Sequence, residues 1–176
     1  MITISINEEQ IKRAEKLYPF KELDGSITGG KSNIYGALGE IIVYDYFSDK
    51  AEFKSTYDYD LIIDGYKVDV KTKRSTTTPK PYYLCSISNY NTKQKCDYYF
   101  FTRVKEDLSE GYLLGYIDKK SFYKKAIYNK KGETDGDYFV FKDNCYNLSI
   151  DKLKKFKEDK NVRKTSTSNW SENNGR

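Results

Sequence analysis

The 176-residue chain contains no histidine. This absence excludes the serine-histidine-aspartate triad, cysteine-histidine proteases, HExxH metallopeptidases and histidine-ligated zinc sites, because each of them needs an imidazole. Any catalysis must therefore use carboxylates, lysine, tyrosine or a hard metal ion, for which carboxylate oxygens are the preferred ligands.

Long hydrophobic runs and paired cysteines are also missing. Each purely apolar run is only a few residues long, and the N-terminus lacks the basic start and apolar stretch of a signal peptide. The three cysteines, Cys85, Cys96 and Cys145, match no CxxC pattern, so neither a disulfide framework nor a zinc ribbon is indicated. We therefore expect a cytoplasmic protein with reduced cysteines and no membrane partner.

Charge is plentiful but unevenly distributed. The excess of 31 basic over 26 acidic side chains says little by itself. Between residues 67 and 95, however, seven cations accompany a single anion, and between residues 151 and 176 eight cations accompany four anions. Two basic segments in an otherwise balanced chain indicate a polyanionic partner, with a solvated face or a flexible tail as the alternatives.

The order of the expected elements predicts an α+β or mixed α/β fold with a central mixed sheet flanked by helices. Residues 7–18 are expected to form a helix capped by Asn7, and residues 32–47 a buried helix that is apolar over most of its circumference. Further elements are expected as six strand-like runs within 51–117, a short helix at 118–126, a strand at 137–142 and a last helix at 149–159. Length and composition indicate one domain, residues 1–159, followed by a flexible polar tail at 160–176.

The stretch YDYDLIIDGYKVDVKTKR, residues 57–74, is typical of a hairpin that turns at Asp64-Gly65, because a type I′ turn needs positive φ at both central positions. Counting outward from the turn places Asp60 opposite Asp69. Side chains alternate between the faces of a sheet, which separates an apolar face from a polar one. The apolar face is predicted to hold Tyr59, Leu61, Ile63, Val68 and Val70, and the polar face Asp58, Asp60, Lys67, Asp69, Lys71 and Lys73.

Two aspartates facing each other across a sheet repel, and a hard divalent cation would remove that penalty. Lys71 lies two residues beyond Asp69 on the same face, where it can contact a water or a phosphate oxygen at such a metal. Glu40 also needs a cation, because it lies among small and apolar residues of the buried helix. The alternatives are a solvated strand face for the aspartates and a lysine salt bridge for Glu40.

Three motifs in this order and spacing resemble the PD-(D/E)XK nuclease superfamily, which has the restriction-endonuclease-like fold. They are GALGE on the second helix, YDYDLII on one strand and VDVKT on the next. The resemblance covers about residues 32–104. It implies that Glu40 is the helix glutamate, that Asp60 is the metal-bridging aspartate, and that Asp69 and Lys71 form the (D/E)xK element.

The resemblance leaves one ligand open. The residue before Asp60 is Tyr59 rather than proline, so either Asp58 or Asp60 can be the ligand, and Asp60 is preferred because it faces Asp69. Family members often carry a polar residue near the site at the following helix-to-strand junction, where Gln94 is the candidate here.

The function implied by the resemblance is a Mg²⁺-dependent endonuclease, with Mn²⁺ able to substitute, that hydrolyses DNA phosphodiester bonds by in-line attack of water. Glu40, Asp60 and Asp69 would hold the metal, and Lys71 would position and polarise the water. The expected nucleic-acid-binding residues are Lys67, Lys73, Arg74, Lys80, Lys93, Gln94 and Lys95. RNA as a substrate, specificity for a sequence or structure, and a homodimer are left open. Richness in Lys, Asn and Tyr is typical of an AT-rich genome such as that of a phage, which would place the protein in the host cytoplasm.

Two other functions compete with the nuclease. One is a catalytically inactive nuclease-fold module that binds nucleic acid or a protein. The other is nucleotide binding, because GSITGGKS at residues 25–32 matches GxxxxGK[ST]. That motif needs a buried strand before the loop and an aspartate-ended apolar run downstream, and neither is evident, so a glycine-rich hinge is the favoured interpretation.

Overall fold

The computed structural model describes residues 1–17, 32–136 and 139–157. Its helices are α1 (Glu8–Leu17), α2 (Ser32–Phe47) and α3 (Lys119–Lys125). Its strands are β1 (Ile2–Ser5), β2 (Ala51–Phe53), β3 (Leu61–Ile63), β4 (Tyr66–Ser75), β5 (Leu84–Ser88), β6 (Tyr98–Lys105), β7 (Glu110–Asp118), β8 (Ile127–Asn129), β9 (Thr134–Asp135), β10 (Phe139–Val140) and β11 (Cys145–Ser149). The GxxxxGK part of the nucleotide-binding motif, residues 25–31, and the expected tail, residues 160–176, lie outside the described residues.

A six-stranded mixed sheet forms the centre of the protein, in the order β1-β7-β6-β4-β3-β2. Strands β4 and β6 pair in parallel, and the other neighbours pair antiparallel. A three-stranded antiparallel sheet, β5-β11-β8, and a short β9-β10 pair complete the strands. The protein is therefore α+β, with a mixed central sheet accompanied by three helices, which confirms the predicted fold class.

Both faces of the central sheet are covered. Helix α2 packs on one face, where Val68, Val70 and Phe100 belong to its apolar cluster. The three-stranded sheet and α3 pack on the other face, against Tyr99 and Phe101. Strand β4 consequently has protein on both sides, and its side chains project alternately into the two packed layers on either side of the sheet.

This double coverage corrects the predicted pair of faces. Asp69 is only 2% exposed, because the three-stranded sheet and α3 close over the face that was expected to be polar. A solvated strand face therefore does not account for Asp69. Tyr59, which was expected beside Val68, packs against the opposite cluster instead, because regular alternation stops where β3 begins at Leu61.

The first two helices occur where they were predicted. Asn7 caps α1, since its Oδ1 accepts from the backbone N–H of Gln10 at 2.9 Å while Gln10 Oε1 accepts from the N–H of Asn7 at 3.1 Å. This reciprocal pair satisfies two of the free N–H groups at the helix start. Helix α2 is buried through its middle, from residue 37 to residue 43. Among the helices of the described ranges, none is long and apolar enough to cross a membrane.

The predicted last helix, residues 149–159, is wrong over its described part. Ile150–Lys152 form a single 3-10 turn, after which Lys154 pairs with Tyr116 of β7 through two backbone hydrogen bonds of 2.9 Å. Leu153 and Phe156 are both buried. Their spacing of three residues imitates one face of a helix, but pairing with the sheet satisfies the backbone here.

Gly39 provides the first test of the fold. A Cβ atom at this position would clash with Oγ1 of Thr72 and lie 2.7 Å from Oγ1 of Thr102. These two hydroxyls share a 2.8 Å hydrogen bond beneath α2. We expect Gly39→Ala to lower the free energy of unfolding by about 1–3 kcal/mol, because α2 must move away from β4.

The matched control for this substitution is Gly36→Ala, one turn earlier in α2. Apart from its chain neighbours and the backbone of its own helix, no heavy atom of the described residues lies within 4 Å of a Cβ at Gly36. Alanine is favoured over glycine within a helix by about 1 kcal/mol, so Gly36→Ala should be neutral or stabilising. Urea denaturation of both variants gives the comparison, and equal midpoints would contradict the close packing of α2 on β4.

Candidate active site

The hairpin that carries the candidate residues has the predicted turn. Asp64 and Gly65 have φ values of 48° and 82°, as a type I′ turn requires. Leu61 pairs with Val68, and the register continues to the turn as expected from the sequence. The turn chemistry therefore sets the register of β4, and with it the face on which Asp69 and Lys71 project.

Asp60 lies immediately before β3, which begins at Leu61. Its N–H donates to Val68 O at 3.0 Å, and its Oδ2 accepts from the N–H of Val70 at 2.7 Å. The Asp60 carboxylate thus takes the place of the backbone carbonyl that a longer β3 would offer to the N–H of Val70. This hydrogen bond from Val70 directs the carboxylate toward Asp69. Asp58 instead accepts from the N–H of Lys95 at 2.9 Å. Of the two open candidates, the structure places Asp60 beside Asp69.

Asp69 is held by two polar side chains. Lys71 Nζ lies 2.7 Å from Asp69 Oδ2, and Gln94 Nε2 donates to Asp69 Oδ1 at 3.3 Å. Gln94 also donates to Tyr57 O at 2.7 Å, which fixes its amide in this buried position. The residue expected from the helix-to-strand junction is therefore in contact with the (D/E)xK element.

Two carboxyl groups placed this closely in a buried site perturb each other's protonation. Burial, followed by the charge of Asp69, raises the pKa of Asp60 to about 7. Burial also raises the pKa of Asp69, and the charge of Lys71 opposes that shift. Without a bound metal ion, the pair therefore retains a proton near neutral pH. Such a perturbed pair of carboxyl groups is a candidate functional site on physical grounds.

The donor set fits a hard divalent cation. Among the described residues, Asp69 Oδ2 and Gln94 Oε1 are buried and receive no hydrogen bond, although Lys71 forms an ion pair with the first of them. Mg²⁺ binds oxygen ligands and commonly uses one or two carboxylates together with waters and substrate phosphates. Asp60 and Asp69 could supply two such carboxylates.

Glu40 is not brought into this group. It is 7% exposed on α2, which packs on the face of β4 that holds Val68 and Val70, whereas Asp69 enters the other interior. In the described ranges, no group of three or more histidine, cysteine, aspartate or glutamate side chains is arranged to hold a metal ion. A role for Glu40 as a third ligand stays a prediction.

The expected nucleic-acid-binding residues divide into exposed and buried ones. Exposed side chains belong to Lys67, Arg74, Lys80, Lys93 and Lys95. Arg74 pairs with Glu106 at 3.0 Å, but such an exposed pair contributes at most about 1 kcal/mol and leaves Arg74 free to exchange partners. Lys93 and Lys95 flank the buried Gln94 in the sequence, and Gln94 contacts Asp69.

Lys73 is drawn into the interior, where it lines a cavity with Arg103, a residue that the sequence analysis missed. The parallel register pairs Lys73 with Arg103 directly. The sequence signal was a cation within the otherwise apolar run YYFFTRV, which is typical of a buried strand.

A larger groove of about 850 Å³ lies between the end of α2, the hairpin turn and residues 155–157. Aromatic side chains such as Phe47, Tyr98 and Phe156 line it, but neither Asp60 nor Asp69 does. This groove is therefore separate from the carboxylate pair.

Comparison with known proteins adds no family to this description. No protein-family model matches the chain, and no curated protein matches it. The geometry of the carboxylate pair and its neighbours is therefore the basis for assigning a function.

Proposed function

We propose that the protein is a metal-dependent nuclease that hydrolyses phosphodiester bonds of DNA. The observation that carries the proposal is the pair formed by the half-buried Asp60 and the buried Asp69, with Lys71 Nζ 2.7 Å from Asp69. The pair lies where an antiparallel hairpin meets the parallel β4-β6 ladder. We include in the proposal a restriction-endonuclease-like core formed by β2, β3, β4 and β6 with α2.

Each residue of the proposed site would have a defined task. Asp60 and Asp69 would hold Mg²⁺ or Mn²⁺, which when bound polarises a phosphoryl oxygen and lowers the pKa of a water. Lys71, with 23% of its side chain exposed, is accessible to substrate and would stabilise negative charge on the attacked phosphate. Gln94 would keep Asp69 oriented through its bond to Oδ1.

The exposed cations would bind the strand. Lys67, Lys93 and Lys95 are exposed and belong to the basic segment that also contains the site. Lysines at such positions neutralise backbone phosphates without reading bases, so the proposal predicts binding that weakens steeply with salt.

The test is nicking of a supercoiled plasmid in Mg²⁺, Mn²⁺ or EDTA by the parent and by Lys71→Met. The parent should nick with either metal and not with EDTA. Lys71→Met should nick about 10²–10³-fold more slowly, as expected when a group that stabilises developing charge is removed. DNA affinity, measured by gel shift in EDTA, should change little, because without metal Lys71 stays in its ion pair with Asp69.

Asp64→Asn is the control for this test, because Asp64 lies on the exposed hairpin turn and asparagine accepts its positive φ. It should nick at the parental rate. An absence of metal-dependent cleavage across duplex, branched and single-stranded DNA and RNA would reject the nuclease in favour of a binding module.

A further inference from the structure

A second polar site adjoins the carboxylate pair. It is a cavity of about 160 Å³ between β4, β5 and β6, and both Lys73 and Arg103 line it. Lys71 lines the same cavity, so one side chain contacts Asp69 on one side and borders this cavity on the other. The two sites are therefore neighbours on one face of the central sheet.

Both cations keep donors that the protein does not use. Lys73 Nζ donates to Ser86 Oγ at 2.7 Å and to Leu84 O at 3.2 Å, although an ammonium group has three donors. Arg103 donates from Nη2 to Leu84 O at 3.3 Å, and its guanidinium lies over the ring of Tyr83 at 5.1 Å. Its Nε is buried and has no hydrogen-bond partner in the described part of the chain.

No negative charge compensates these two cations within the described residues. The ion pairs of that part of the chain involve neither Lys73 nor Arg103. Cys85 also lines the cavity, but burial raises the pKa of its thiol to about 12, so the thiol is neutral. Burial, followed by the charge of Arg103, lowers the pKa of Lys73.

Such an arrangement is costly if it serves only the fold. Lys73 and Arg103 are half-buried, and an uncompensated charge that is partly removed from water destabilises a protein, while two adjacent ones repel each other as well. The carbonyl of Leu84 and the hydroxyl of Ser86 need only neutral donors, which an amide side chain supplies. A bound anion, in contrast, would accept the unused donors and remove the repulsion.

We propose that this cavity binds the oxygens of a substrate-strand phosphate that neighbours the phosphate attacked at Asp60 and Asp69. The identity of the anion as a strand phosphate rests on the proposed nuclease function. Lys71 and Lys73 are two residues apart on one strand face, about 7 Å, a spacing comparable to that of successive phosphates in a nucleic-acid strand. Lys73 and Arg103 thus fix the position of the strand while Lys71 acts at the reacting phosphate.

The first measurement tests the anion site without any cleavage. Melting temperatures are recorded in EDTA with inorganic phosphate and with sodium chloride at the same ionic strength. Phosphate should raise the melting temperature of the parent above the sodium chloride value. Lys73→Met and Arg103→Met should lose that additional rise, and neither should melt below the parent in sodium chloride, because each removes an uncompensated, half-buried charge.

The second measurement tests whether the anion belongs to a strand. Gel shifts in EDTA at several salt concentrations should show DNA affinity about tenfold lower for Lys73→Met than for the parent, which is the loss of one charge-assisted contact. The slope of log affinity against log salt should fall by about one. Lys12→Met is the control, since Lys12 is an exposed lysine of α1 and should keep the parental phosphate response and salt slope.

The outcomes separate the two proposals. If phosphate raises the melting temperature equally in the parent and in both methionine variants, the anion site is overturned. If neither variant folds, the parent alone decides: a melting temperature in phosphate no higher than in sodium chloride also overturns the site. A lost phosphate response with unchanged DNA affinity would overturn the strand-phosphate assignment and leave a site for a free anion. Both expected results together with no cleavage by the parent would support the anion site while rejecting the nuclease.

Discussion

Asp69→Asn is expected to abolish cleavage while DNA binding is preserved or becomes tighter. The substitution removes a carboxylate that would hold the metal, and several kcal/mol of transition-state stabilisation go with it. A loss of about 4 kcal/mol corresponds to a rate about a thousandfold lower. The same substitution removes a negative charge that repels phosphates, so affinity should not fall. Single-turnover cleavage and gel shifts measure the two quantities separately.

Asp58→Asn is the matched control for Asp69→Asn. Asp58 accepts from the N–H of Lys95, and an asparagine oxygen accepts the same bond. This variant should cleave within a few-fold of the parental rate. If Asp69→Asn cleaves as fast as Asp58→Asn, the catalytic site is wrongly assigned, and the burial of Asp69 is a feature of the fold alone.

The second large effect concerns the free energy of unfolding, which should fall as the pH rises when no metal is present. Divalent metal should restore it. The folded-state pKa of Asp60, about 7, lies above the ordinary value of 3.8 for an aspartate. Between these two values the folded protein keeps a proton that the unfolded chain releases, so stability in EDTA should fall as the pH rises from about 4 to about 7. Burial raises the pKa of Asp69 in the same direction. The total loss should be on the order of a few kcal/mol.

Mg²⁺ should restore that stability, because it binds the deprotonated pair and releases its proton. At a free concentration a hundredfold above its dissociation constant, it contributes about 2.7 kcal/mol. The difference in melting temperature between Mg²⁺ and EDTA should therefore be small at about pH 5 and large at about pH 8.

Asp60→Asn supplies the comparison for this effect. This substitution removes one of the two interacting carboxyl groups. The stability of the variant in EDTA should therefore vary much less with pH, and Mg²⁺ should change it little. Asp64→Asn, on the exposed turn, should behave as the parent does. Identical pH profiles for Asp60→Asn and the parent would show that the two carboxylates are not coupled.

The part of the site that could be predicted from the sequence depends on local chemistry. Asp64-Gly65 determines the turn, the turn determines the register, and the register places Asp69 and Lys71 on one face. These are short-range constraints within eighteen residues, which one stretch of sequence contains completely. The helix starting at residue 32 was predictable for the same reason, since its apolar character extends around the helix.

The remaining features depend on distant contacts. The burial of Asp69 comes from α3 and the three-stranded sheet, which includes β11 from the end of the described chain. Strand β11, CYNLS, has too little apolar periodicity to be recognised alone. Lys73 meets Arg103 only because β4 and β6 are parallel, and no local pattern reports that pairing. Tyr59 departs from simple alternation because the regular strand β3 begins only at Leu61.

The position of β1 at the edge of the central sheet has a consequence for synthesis on the ribosome. Ile2 pairs with Leu113 of β7, so β1 leaves the exit tunnel about 110 residues before its partner strand exists. At typical translation rates that interval lasts from about 5 to about 20 seconds. Throughout it, the alternating segment ITIS presents unpaired backbone groups, as any isolated edge strand does. The two acidic residues that begin α1, Glu8 and Glu9, follow it directly and provide charge that discourages premature pairing with other nascent chains.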